Sequence, residues 1–257
     1  SHGMRGILEQ VAPLCSAEAS LDLLIAAKGI EGQTLLSMFD LAMECFAGAP
    51  GIHVSVLGGP SFAREVAMES PTVVVFASPR LEAAKRLQLQ LSTEAFRVYV
   101  TADVVGVELG GALKNVIALA AGMCDGAGLG TNARAALITR GLAEITRLGV
   151  AMGADASTFA GLAGLGDLVL TCTGSLSRNR RVGLALGRGE KIEDVIAEMG
   201  MVAEGVKNTA NACSLAARHG VAMPIVEVMD RILRDQLTVE EAVRALMLRE
   251  LKEEPPT

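Results

Sequence analysis

The sequence predicts an α/β layer followed by a larger all-helical domain. Three observations predict it. Strand-length apolar runs alternate with helix-length stretches over the first hundred residues, the alternation stops near residue 101, and no later segment reads convincingly as a strand. The expected division is therefore residues 1–101 and residues 102–257, with a largely parallel sheet in the first part.

Taken in order, residues 4–14 are helix-like, and the apolar run 21–27 suits a strand covered on both faces. Residues 34–46 read as a helix, 53–57 as a strand, 61–68 as a short helix and 73–76 as a strand. A helix over 81–91 and a strand over 96–100 complete the layer. Helices are then expected over 103–123, 132–152, 156–162, 177–186, 192–199, 204–219, 225–234 and 239–251. Thr238 and Glu241 have the spacing of a capping box, in which hydroxyl and carboxylate satisfy free N–H groups at a helix start. The run 109–123 is very apolar, but Lys114 and Asn115 make it a poor membrane span.

Composition narrows the function. The chain has 257 residues, of which 51% are hydrophobic and 20% charged, so a sizeable core is expected and disorder is not. With no Trp, one Tyr and six Phe, that core must be aliphatic. A net charge of −6 and few aromatic stacking platforms argue against nucleic-acid binding. An anionic substrate would need locally concentrated cations. Cys15, Cys45, Cys124, Cys172 and Cys213 are odd in number and widely spaced, which fits a reducing compartment rather than a disulfide framework. Neither they nor the three scattered histidines have metal-ligand spacing, so no metal site is expected.

Chemistry is concentrated in five places. Lys114 sits on an apolar, Gly-rich helix whose neighbours three and four positions away are Gly110, Gly111, Ile117 and Ala118. With no acidic partner at helical spacing, a desolvated ammonium should have a lowered pKa and exchange protons near neutrality. The alternative is a stem that snorkels to the surface. Gly58-Gly59-Pro60-Ser61-Phe62-Ala63 follows a strand and opens a helix, where Ser61 is expected as the N-cap of an anion-binding end or of a plain turn. Lys28 ends the first strand, on the side where open α/β sheets place their ligand crevice, or it is a solvated loop cation. Asp167 follows Gly164-Leu165-Gly166 and either orients a hydroxyl or an ammonium or caps the next helix. Ser177-Arg178-Asn179-Arg180-Arg181 crowds three arginines at a helix start, the wrong end of the dipole for cations; a bound anion would resolve the conflict. By contrast Gly126-Ala127-Gly128-Leu129-Gly130-Thr131 follows a helix, not a strand, and reads as a flexible turn rather than a dinucleotide fingerprint.

In order, these motifs, with the block from Gly110 to Gly130, the run from Asn132 to Gly141 and the stretch from Ala163 to Thr173, resemble the bacterial NAD(P)-dependent glycerol-3-phosphate dehydrogenases over nearly the whole chain. The resemblance implies an incomplete Rossmann-type sheet, because the sequence opens on a helix, without the strand and Gly-rich turn that begin such a domain. It implies interconversion of dihydroxyacetone phosphate and sn-glycerol 3-phosphate with NAD or NADP, in the service of phospholipid synthesis, in a cytoplasmic protein with a homodimer as the expected assembly. Lys114 becomes the catalytic proton donor and acceptor. Lys28, Gly59, Ser61, Asp167, Ser177, Arg178 and Asn179 would contact the substrate, and Lys28, Ala63, Arg178, Val202 and Glu204 the cofactor. Two other readings stand beside it: a related ketopantoate or hydroxyacid reductase, and a helical interaction or dimerisation module with little cofactor binding.

Overall fold

Four strands form one sheet in the order β1 (Leu21–Ile25), β2 (Ile52–Gly58), β3 (Thr72–Ala77) and β4 (Phe96–Thr101). The computed structural model describes residues 3–15, 20–199, 204–251 and 253. β1 runs parallel to β2, with Leu21 opposite Ile52, and β3 runs parallel to β4, with Thr72 opposite Phe96. β2 and β3 are antiparallel, with Val56 opposite Ala77. The parallel pairs follow from their connections. Helix α2 (Met38–Cys45) joins β1 to β2, and α4 (Leu81–Leu91) carries the chain back between β3 and β4. Between β2 and β3 stands only α3 (Ala63–Ala67). A helix of five residues rises about 7.5 Å, too little to return the chain along a strand of about 20 Å, so the next strand points back. The sheet is largely parallel, as the alternation predicts, with one antiparallel step between β2 and β3.

Period-two burial divides the sheet between two layers. On one face Ile25, Val54, Val56, Val75 and Ala77 pack with Leu8 of α1 (Met4–Val11) and with Met38, Leu41 and Ala42 of α2. On the other, Val74, Phe76 and Val98 meet Ala84 and Leu87 of α4. α2 starts later than the expected residue 34, because Leu35 takes a left-handed φ of 61° and Ser37 caps the helix by accepting the Asp40 N–H.

No strand follows Thr101 among the described residues. Helix α5 (Val104–Gly126) runs through the middle of the helical part, buried on all sides. It is long and apolar enough to cross a membrane, but it is buried inside the protein, as in a core helix. Around it pack α6 (Thr131–Ala151), α7 (Ala156–Ala160), α8 (Asp167–Thr173), α9 (Arg178–Gly187) and α11 (Glu204–Arg218). α10 (Ile192–Met199), α12 (Pro224–Leu233) and α13 (Val239–Met247) complete the domain. The expected capping box at Thr238 and Glu241 is present. The expected turn between α5 and α6 is also present, with Gly128 and Gly130 at φ of 70° and 89°. The helix expected over 156–162 stops at Ala160, and a single π-helical turn, Leu162–Gly166, leads into α8.

α5 and α9 pack closely through glycines on both helices. A Cβ at Gly122 or Gly126 of α5 would overlap the carbonyls of Arg180 or Leu184, and one at Gly183 or Gly187 of α9 would overlap those of Leu119 or Met123. Backbone therefore rests on backbone, and α9 has little freedom to move away from α5.

Candidate active site

Lys114 lies at the middle of α5 and is 7% exposed. Its helical neighbours are apolar, as the spacing requires, yet it is not without a carboxylate. Asp167, fully buried at the start of α8, accepts a hydrogen bond from Lys114 Nζ through Oδ1. No carboxylate stands at helical spacing from Lys114; of the roles open to Asp167, pairing with an ammonium is the one the structure shows, from a helix 53 positions further on where helical periodicity has no reach. The π turn before α8 directs this carboxylate inward. Asp167 is the first residue of the helix, after Gly166, so it does not serve as the N-cap; its backbone carbonyl accepts from Thr171 Oγ1 at 2.6 Å.

The second oxygen of Asp167 accepts from Lys28 Nζ at 2.7 Å, and the same ammonium donates to the Gly59 carbonyl at 3.2 Å. β1 ends at Ile25 rather than residue 27, so Lys28 stands just past the strand, where its stem lies against Gly111 of α5. Two ammonium groups thus share one buried carboxylate. Burial, reinforced by the positive charge of Lys28 and opposed by Asp167, brings the pKa of Lys114 down to about 8.

Gly59 holds φ at 100° close against the backbone of Val74, a conformation and a space open to glycine. Ser61 is not a helix cap. Phe62 occupies the N-cap position of α3, and Ser61 Oγ donates to the Gly59 carbonyl at 3.2 Å. Ser177 does cap, accepting the Arg180 N–H at 3.3 Å. Asn179 donates to Asn115 Oδ1 at 2.9 Å and accepts the Gly205 N–H at 2.9 Å, which ties α9 to α5 and α11. The three arginines do not form one anion cluster. Successive helical residues point about 100° apart, so Arg178 faces the cleft, Arg180 pairs with Asp125 and Arg181 is exposed.

A cleft of about 630 Å³ collects Lys28, Ser61, Ala63, Lys114, Ser177, Arg178, Asn179 and Glu204, all expected from the sequence. Gly59 and Asp167 stay outside its lining and hold the two lysines from behind. Val202 lies outside the described residues. Asn115 and Thr171 line the cleft as well and were not singled out. The one readable sign of Thr171 is its place four positions after Asp167, on the same helical face. Leu57, Phe62, Ala63, Val66 and Phe96 give the same cleft an apolar part. The lining therefore offers cations and a titrating amine for a small anion, and apolar surface for a flat ring.

Comparison with known proteins identifies the family. Residues 1–84 match the N-terminal model of NAD-dependent glycerol-3-phosphate dehydrogenase, and residues 103–244 match its C-terminal model. The chain is 56% identical over 254 residues to the glycerol-3-phosphate dehydrogenase [NAD(P)+] of Geobacter sulfurreducens, spanning 99% of this chain and 75% of that protein. A crystal structure of glycerol-3-phosphate dehydrogenase from Coxiella burnetii superposes with a TM-score of 0.90 at 40% identity, covering 97% of this chain and 75% of that one. The enzyme from Saccharomyces cerevisiae superposes with a TM-score of 0.81 at 26% identity, over 94% of this chain and 72% of that one. With both family models matched and a relative 56% identical over nearly the whole chain, this chain belongs to the NAD-dependent glycerol-3-phosphate dehydrogenase family.

Proposed function

We propose that this protein is an oxidoreductase that interconverts dihydroxyacetone phosphate and sn-glycerol 3-phosphate with NAD or NADP, supplying glycerol 3-phosphate for phospholipid synthesis. The observation that carries the reading is the buried Lys114 ammonium, held by Asp167 beside Lys28, in a cleft that Arg178 also lines. The apolar lining at Leu57, Phe62, Ala63 and Val66 suits a nicotinamide ring, which when bound supplies or takes the hydride at C2 of the substrate.

The residues of the chain do the rest. In reduction, Lys114 Nζ gives its proton to the C2 oxygen, and in oxidation it takes that proton back. Asp167 keeps the amine aimed and partly offsets the loss of water around it. Arg178, with Ser177 at the start of α9, holds the phosphate; its guanidinium suits a bidentate contact. Asn179 keeps that helix start in register with α5 through Asn115. Lys28 adds a second cation between substrate and cofactor, and Ala63, Glu204 and Val202 fall to the cofactor side of this reading. Residues 1–101 form the cofactor-side unit and residues 102–257 the substrate and catalytic unit. A cytoplasmic homodimer is the assembly that goes with this reading.

The test is oxidation of NADH and NADPH, followed at 340 nm in the presence of about 1 mM dihydroxyacetone phosphate, ketopantoate or a simple 2-keto acid. Turnover with the phosphate ester alone is the expected result. Preference for ketopantoate or a keto acid would overturn the proposal in favour of a related reductase. Failure to bind either cofactor or the phosphate ester would favour an interaction module.

A further inference from the structure

We infer that Asp125 is a positioning residue for the anion-binding end of α9, acting through Arg180 at a distance from the proton-transfer atom. The inference rests on the proposed phosphate-holding role of Arg178. Asp125 is the penultimate residue of α5, and its side chain is 13% exposed. One oxygen accepts from Arg180 Nη2 at 2.7 Å and the other from Arg134 Nη1 at 2.7 Å. The carboxylate thus joins the end of α5 to the first turn of α9 on one side and to the first turn of α6 on the other.

The α9 arm has a specific consequence. Arg180 supplies the backbone N–H that Ser177 caps, and it stands one and two residues after Asn179 and Arg178. Its Nε is buried without a hydrogen-bond partner, so the guanidinium depends on Asp125 for compensation. The glycine contacts at Gly122, Gly126, Gly183 and Gly187 fix how close α9 lies to α5. The Asp125–Arg180 pair adds to the Asn179–Asn115 tie in fixing the rotation of α9 at the end where Arg178 must face the cleft. Asp125 lies eleven positions along α5 from Lys114, about 16 Å, so it can act on substrate binding without entering the proton transfer. The Arg134 arm reaches α6, which contributes no residue to the cleft, and serves as the internal control.

The experiment measures the Kd of sn-glycerol 3-phosphate by calorimetry, together with KM and kcat for dihydroxyacetone phosphate, for the parent chain, D125N and R134A. D125N should weaken binding and raise KM by about tenfold while kcat stays within about threefold. R134A should lower the thermal midpoint while leaving Kd and KM within about twofold. If D125N does not fold, R180Q carries the same test. Equal weakening in D125N and R134A, or unchanged Kd in D125N, would overturn the positioning role. A parent chain that binds no glycerol 3-phosphate would overturn the functional reading instead.

Discussion

Lys114 and Asp167 are 53 positions apart in the chain and meet as a direct ion pair almost closed to solvent, with Lys28 on the other oxygen of the same carboxylate. The pair divides the work between two helices: α5 desolvates the amine and α8 supplies the charge that keeps it in place. Replacing Lys114 by Ala removes the proton donor while leaving the cations that hold the phosphate. Turnover should fall by about 10²–10⁴-fold, with Kd for glycerol 3-phosphate changed far less. Steady-state kinetics beside calorimetry checks this, and undiminished kcat would take the catalytic role from Lys114.

The pH profile should carry the mark of the amine. Lys114 is lowered from 10.5 to about 8, chiefly by burial and then by Lys28. Ketone reduction needs the protonated form, so its rate should decline above about pH 8, and alcohol oxidation should gain over the same range. Asp167→Asn deletes the contribution that holds the value up. The limb should then move to lower pH, and the midpoint of thermal unfolding should fall because two ammonium groups lose their shared counter-charge. A profile unmoved in D167N would separate the limb from Lys114.

Stability should have its own pH signature, centred on Glu144. This carboxyl is 4% exposed on α6 and accepts the N–H groups of Ile225 and Val226 at the start of α12. Burial raises it from 4.5 to about 7, against the pull of those two hydrogen bonds. Between these values the folded chain keeps a proton that the unfolded chain has released, so stability falls as pH rises from about 4.5 to 7. Glu144→Gln should flatten that slope by an amount on the order of 2 kcal/mol, read from urea unfolding at pH 5 and 7.5.

The backbone contact between α5 and α9 should be intolerant of one methyl group. Gly122→Ala places a Cβ into the Arg180 carbonyl and against the Leu184 N–H. The two helices must part, at a cost of about 1–3 kcal/mol, and the thermal midpoint should drop by several degrees. Gly128→Ala, at a position with open space around it and φ of 70°, should cost only the local strain of about 1 kcal/mol.

The linear sequence made much of this legible. The strands at 53–57, 73–76 and 96–100 and the helix at 81–91 are where apolar periodicity puts them, because each buries one face or both against a single neighbouring layer. The antiparallel step between β2 and β3 was not legible, since it depends on the reach of the five-residue α3 rather than on any pattern within a strand. Ser61 was read as a cap from its type and place, but the helix begins one residue later and its hydroxyl turns back to Gly59.

By itself the sequence determined that an aliphatic, lysine-bearing helix follows an α/β layer, that cations gather at positions 28, 114 and 178, and that glycines punctuate the helices between them. Those are properties of residue type and near spacing, which act through local conformation and burial. Only the tertiary structure decided that Asp167 pairs with both lysines, that Asp125 takes Arg180, and that Asn115 and Thr171 enter the cleft. Each of these depends on which helix faces which across more than fifty residues. Charge and hydrogen bonding act over a few ångströms of space, and no local period in the chain encodes that distance.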